Sequence, residues 1–181
     1  DRPGSTPSEA MLDDAFHQIM REAPGRLIIA TFSSLISRVQ QVVNVAQHQN
    51  RKIAIAGRSM VENTTMAREL GYLDIPDDML VSLNDVDRLP PREVIIMATG
   101  SQGEPMAVLN RLATDSHRSL RIQEGDTVLL SSHTIPGNEE MAHGVVNRLL
   151  QRGADVAYGE QAQAHVSGHA SQDELKQLIN T

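Results

Sequence analysis

The chain has no cysteine and no tryptophan, and its aromatic side chains are two tyrosines and two phenylalanines. Without cysteine there can be no thiolate zinc site, no disulfide staple and no cysteine nucleophile, and a reducing, cytoplasmic setting is expected. So few aromatics exclude a broad base-stacking platform, which would have to come from another domain. No apolar run approaches the ~20 residues of a membrane span, and the polar opening Asp1–Glu9 does not read as a signal peptide, so no membrane association is expected. That opening also lacks an initiator methionine, which suggests a piece of a larger protein. Basic residues are the minority charge, 16 Lys and Arg against 23 Asp and Glu, for a formal net charge of −7. This counts against nonspecific coating of nucleic acid. It leaves room for a local phosphate pocket of histidines, hydroxyls and backbone N–H groups.

At 181 residues and 40% hydrophobic content the chain can bury roughly two-thirds of its unfolded surface as one ordinary domain. No repeat, low-complexity tract or linker interrupts it. Short β-branched runs alternate instead with helix-length amphipathic segments. Thr6-Pro7-Ser8-Glu9 is a capping box with proline at the first helical position, opening a helix to about Glu22. Strands are expected at Arg26–Thr31, Lys52–Ala56, Val94–Ala98, Thr127–Ser131 and Val156–Tyr158. Between them fall helices at about Ser34–Gln49, from a second capping box (Ser59 to Glu62) to Gly71, at Pro105–Thr114, and up to Gly153. A third box, Ser171 to Glu174, opens the last helix. Continuously apolar strands separated by helices predict an α/β fold with a mostly parallel sheet flanked by helices on both faces. Functional groups in such sheets gather at the carboxyl edge of the strands.

Four polar segments are expected at that edge. In His165-Val166-Ser167-Gly168-His169 an extended backbone would set His165, Ser167 and His169 on one side, two imidazoles and a hydroxyl suited to clamping an anion. Gly168 would allow close backbone approach, and the helix opening at Ser171 would add free N–H groups. The plain alternative is a pair of surface histidines beside a turn. A metal pair lacks an evident third ligand nearby. Thr99-Gly100-Ser101-Gln102-Gly103-Glu104-Pro105 follows a strand, yet its spacing is neither a Walker loop nor the dinucleotide fingerprint, so a generic turn competes with a phosphate loop. Ser131-Ser132, ahead of Ile135-Pro136-Gly137-Asn138-Glu139, and Thr31-Phe32-Ser33-Ser34 are hydroxyl-rich strand ends, for which helix N-capping is the alternative. Their convergence favours a phosphate-bearing ligand.

The motifs GRSM (Gly57–Met60), ELGYL (Glu69–Leu73), TGSQGEP (Thr99–Pro105), IPGNE (Ile135–Glu139) and HVSGHA (His165–Ala170), in this order and spacing, closely resemble ribonuclease J over essentially the whole chain. The resemblance implies a Rossmann-like β-CASP domain spanning 1–181, inserted in the parent enzyme into a metallo-β-lactamase domain that this segment lacks. It implies a zinc-dependent ribonuclease acting endonucleolytically and 5′→3′ on single-stranded RNA with a 5′-monophosphate. The two zinc ions would sit in the metallo-β-lactamase domain, with no metal or other cofactor in this segment, and the parent would form a homo-oligomer. Carried onto this chain, His165, Val166, Ser167, Gly168 and His169 bind the substrate phosphate, with His169 also a catalytic proton donor to the leaving oxygen. Ser33, Ser34 and Leu35 contact RNA, and Leu35 stands where the family more often has a polar residue such as asparagine. Gly100, Ser101 and Ser132 complete the expected binding set. No HxHxDH metal signature occurs in the sequence, so the segment alone is expected to bind weakly and cut nothing. Two other classes remain: a noncatalytic nucleotide-phosphate-binding module, and a scaffold that dimerises or recruits partners.

Overall fold

Each expected β-branched run becomes a strand, and all five strands lie parallel in one sheet. The structure, a computed structural model, describes residues 10–132, 134–158 and 171–179. In chain order the elements are α1 (Ala10–Glu22), β1 (Leu27–Ala30), α2 (Ile36–His48), β2 (Lys52–Ile55), α3 (Arg58–Glu69), β3 (Val94–Ala98), α4 (Val108–Ala113), β4 (Thr127–Leu130), α5 (Glu139–Gln151), β5 (Asp155–Ala157) and α6 (Gln172–Ile179). The strand order is β2-β3-β1-β4-β5, with β1 central: Ile28 is in register with Ile96 on one side and Val128 on the other.

The two-residue side-chain period of a strand divides the core into two layers. Leu27, Ile29, Ile53, Ile95, Met97 and Leu129 face α1, α2 and α3, where Phe16, Val42 and Met60 are fully buried. Ile28, Ala30, Ala54, Ile96, Val128 and Leu130 face α4 and α5, against Leu109, Leu112 and Leu149. Because both faces are covered, the central strands have no polar side, which is why their sequences read as unbroken apolar runs. Full burial of one such Leu, Ile or Phe contributes about 1.5–3 kcal/mol. Ile55 on the edge strand β2 is only half-buried.

Between α3 and β3, three single 3₁₀ turns at Asp77–Met79, Val86–Arg88 and Pro91–Glu93 carry the chain back to the sheet. Met79 and Val86 anchor this stretch in the core, and Val81 N–H donates to the Ile53 carbonyl at 3.0 Å.

Several helix ends depart from the local sequence signals. Helix α3 starts at Arg58, with Gly57 at its N-cap, so Ser59 lies inside the helix and its expected capping box does not form. Glu62, the box's other half, instead accepts from Arg58 Nε at 2.8 Å. The far end follows the glycine signal: Gly71 has φ +77, its N–H reaches the Arg68 carbonyl, and Tyr72 N–H reaches that of Ala67 at 2.8 Å. Helix α4 begins at Val108, three residues after Pro105, because a turn closed by Ala107 N–H on the Glu104 carbonyl comes first. At Ser171 half of the expected box is made, Glu174 accepting from the Ser171 N–H at 2.7 Å. The box at Thr6–Glu9 lies outside the described residues.

Candidate functional site

A parallel sheet sends every strand-to-helix loop to one edge, and the expected polar segments among the described residues meet there. The ladder runs one rung past each strand. Thr31 N–H donates to the Ala98 carbonyl at 3.1 Å, Ser131 N–H to Ala30 at 2.9 Å and Ala56 N–H to Met97 at 2.8 Å. The loops after β1, β2, β3 and β4 therefore leave the sheet from fixed, adjacent positions. Helices α2 and α3 then turn to one face while α4 and α5 turn to the other. Such divergence of loops opens a crevice at the carboxyl edge, the usual ligand position in open α/β sheets.

The serines do not cap helices. Helix α2 has Leu35 at its N-cap and α5 has Asn138, neither with a side-chain capping bond. Ser131 Oγ accepts from Arg38 Nη1 at 2.6 Å, and Ser132 Oγ from Gln102 Nε2 at 3.1 Å. Gln102, buried in the glycine-rich loop, also accepts the Ile135 N–H at 2.7 Å on its Oε1. One side chain thus ties the loop after β3 to the loop after β4. Arg38 is likewise buried, lying 5.9 Å from the Phe16 ring centroid and bracing the end of β4 from α2.

The expected site residues therefore separate by exposure. Ser34 is exposed and Leu35 half-buried at the start of α2. Ser33, half-buried, accepts from Asn63 Nδ2 of α3 at 3.1 Å. Gly100, Ser101 and Ser132 are buried and belong to the packing that shapes the edge. His165, Val166, Ser167, Gly168 and His169 lie outside the described residues.

Sequence reading passed over Arg38, Asn63, Arg58 and Arg111. The last two, with Thr31, Ser33, Gly57, Ser59, Thr99 and Gly100, line a cleft of about 460 Å³ at the ends of β1, β2 and β3. Gly57 (φ +101) keeps this cleft open. A Cβ there would meet Val108 Cγ2 at 2.9 Å and Thr99 Oγ1 at 3.0 Å, so any side chain would prise the two loops apart. The local signal for it was the arginine directly after a strand-end glycine in GRSM. Among the described residues no group of three or more His, Asp or Glu side chains could hold a metal ion, and no helix is long and apolar enough to cross a membrane.

Residues 24–149 match the family model of the ribonuclease J β-CASP domain. Ribonuclease J of Thermus thermophilus is 48% identical over 180 residues, 99% of this chain and 31% of that protein. Ribonuclease J of Helicobacter pylori (strain J99) is 47% identical over 178 residues, 98% of this chain and 26% of the relative. Ribonuclease J2 of Bacillus subtilis is 45% identical over 180 residues, 99% and 32%. The chain thus spans about a third or less of the length of these curated relatives. A five-stranded parallel sheet, a glycine-rich loop after β3 and this whole-chain similarity together assign the chain to the ribonuclease J family, in its β-CASP domain.

Proposed function

We propose that this domain holds single-stranded RNA by its 5′-monophosphate at the carboxyl edge of the sheet, as the β-CASP part of a metal-dependent ribonuclease. The observation that carries the reading is the convergence of hydroxyl- and glycine-rich loops on one edge of an all-parallel sheet, in a chain of the ribonuclease J family. In this reading His165, Ser167 and His169 clamp the phosphate, Val166 and Gly168 offer backbone N–H groups, and exposed Ser34 with its neighbours Ser33 and Leu35 lies along the strand. Gly100, Ser101 and Ser132 complete the binding set, with the Ser132 hydroxyl held in place by Gln102. His169 protonates the leaving oxygen, a general-acid role that suits imidazole near neutral pH. Two zinc ions, in a metallo-β-lactamase domain of the same parent chain, would supply the attacking hydroxide. The domain by itself cuts nothing, and the parent works in the cytoplasm as a homo-oligomer.

Titration of the chain with uridine monophosphate, followed by amide NMR, tests the clamp. Shifts should centre on residues 165–169 and strengthen as pH falls through ~6.5, where imidazoles gain charge. Ser167→Ala should weaken binding by about 1.5–3 kcal/mol, one hydrogen bond to a charged group. Equal binding by that variant ends the clamp reading. RNA incubated with the chain and Mg²⁺, Mn²⁺ or Zn²⁺ should stay intact. Cleavage that copurifies with the chain and changes on His169→Ala would overturn the assignment of catalysis to another domain.

One observation favours a second reading, a protein-docking face. A groove of about 520 Å³ between α2 and α3 exposes Met66, Leu70 and Tyr72, the last at 76%. Sedimentation of the chain decides it. A monomer is expected if the parent assembles through other domains, and a dimer that Leu70→Glu dissolves would favour the docking face.

A further inference from the structure

We propose that the cleft at the ends of β1, β2 and β3 is a phosphoryl-binding site in its own right, built from residues outside 165–169. It stands on its own geometry and needs nothing from the histidine segment.

The first ground is an unused set of donors. Gly57 gives α3 no side-chain cap, and the first backbone bond of that turn is Val61 N–H to the Gly57 carbonyl at 3.0 Å. The N–H groups of Arg58 and Ser59, both residues of the cleft wall, have no acceptor among the described residues. A 12-residue helix with open N–H groups at its start favours an anion there.

The second ground is independent of the helix. Thr31 lines the same cleft, is 1% exposed, and its Oγ1 has no hydrogen-bond partner. Buried hydroxyls are nearly always paired, since leaving one unpaired is costly. Thr31 is a residue of the cleft wall, and a ligand oxygen reaching its hydroxyl would complete that donor's hydrogen bonding.

The third ground is a pair of guanidinium donors. The chain carries a net −7, yet two guanidinium groups, Arg58 and Arg111, stand at this crevice. Glu62 and Glu104 line it too, so the cleft has no excess positive charge; Glu62 pairs with Arg58 Nε at 2.8 Å, and Glu104 accepts the Gln102 N–H at 3.2 Å. Arg58 bonds through Nε alone, which leaves its two terminal nitrogens for a ligand, and Arg111 makes no ion pair among the described residues. Open N–H groups, a buried hydroxyl and two arginines form a donor-rich cleft that suits a tetrahedral oxyanion. The phosphoryl group could come from an internal phosphodiester of a bound strand, or from a free or terminal phosphate.

Amide NMR titrations of the chain with inorganic phosphate, uridine monophosphate and a short oligoribonucleotide bearing a 5′-hydroxyl test the site and separate the sources. Phosphate should shift Thr31, Arg58 and Ser59. Thr31→Val should weaken phosphate about tenfold or more, the loss of one hydrogen bond to a charged group, while leaving the ligand-free melting temperature equal or higher. Arg111→Gln, an exposed change that does not threaten folding, should weaken binding and reduce its salt dependence. If the 5′-hydroxyl strand shifts these residues, the source is an internal phosphodiester. If only phosphate and the monophosphate do, it is a free or terminal group. Either result supports the site. Shifts confined to other residues, or undiminished phosphate binding by both variants, would overturn it.

Discussion

Gly103→Ala should be one of the most damaging single-methyl changes in the chain, and a neighbouring glycine supplies its control. Gly103 sits in the loop after β3 with φ +79 and lies directly on the backbone of α5. An added Cβ would stand 2.5 Å from the Met141 carbonyl carbon, 2.7 Å from its oxygen and 2.8 Å from Ala142 N. These are helix backbone atoms, which cannot rotate aside, so the loop or the helix must move. The left-handed backbone costs an alanine about 1–2 kcal/mol and the overpacking a further 1–3, for a total of about 2–5 kcal/mol. Gly137 has φ +98 but nothing within 4 Å of its would-be Cβ, so Gly137→Ala carries only the backbone part, about 1–2 kcal/mol. Urea denaturation of both variants reads the difference as a shift of midpoint at unchanged slope. The loop carries Gln102, so Gly103→Ala should also move the amide resonances of Ser132 and Ile135, which Gln102 holds. Equal losses for the two variants, or undisturbed resonances in the first, would refute the claim that Gly103 is set by contact with α5.

Arg26 is buried at the amino edge of the sheet, with Nε and Nη2 on Asp126 at 2.9 and 2.7 Å and Nη1 on Asp87 at 2.9 Å. Arg26→Met leaves Asp126 buried without its counter-charge and should cost about 3–5 kcal/mol in chemical denaturation. A loss under about 1 kcal/mol would show that the pair is not needed. Gln102→Leu removes the partner of the Ser132 hydroxyl and the Ile135 N–H, and should cost on the order of 1–3 kcal/mol per group left unpaired, read by the same assay. His117 is buried, and desolvation, then the charges of Arg111 and Arg121, hold its pKa below the ordinary imidazole value. Its Nδ1 accepts the Leu120 N–H at 3.2 Å, a bond that needs the neutral ring. The unfolded chain therefore takes up this proton first, and stability falls as pH drops below ~6.5, until the folded form protonates too. His117→Asn should flatten the pH dependence of the urea midpoint across that window, and an unchanged slope would remove His117 as its source.

Much of this molecule is written in local pattern. Runs such as Leu27–Ala30 and Val94–Ala98 are apolar at every position because both faces of a parallel sheet are covered, so strand identity, sheet type and core could be read without coordinates. The edge on which the polar loops gather followed from the same fact, since parallel strands all end on one side. Helix ends were less legible. Ser59-Met60-Val61-Glu62 has the form of a capping box, but Gly57 takes the cap position and Arg58 claims Glu62, a competition that a four-residue pattern does not encode. The site shows the same limit. Serines at strand ends look alike in sequence, yet Ser34 faces solvent while Ser101 and Ser132 are buried. What buries Ser132 and pairs Ser131 are Gln102 and Arg38, 30 and 93 residues away. Partners at such distances meet only once the sheet has assembled. The cleft of Thr31, Arg58 and Arg111 is tertiary in the same sense, drawn from the end of β1 and from helices α3 and α4, which only the strand order β2-β3-β1 makes neighbours.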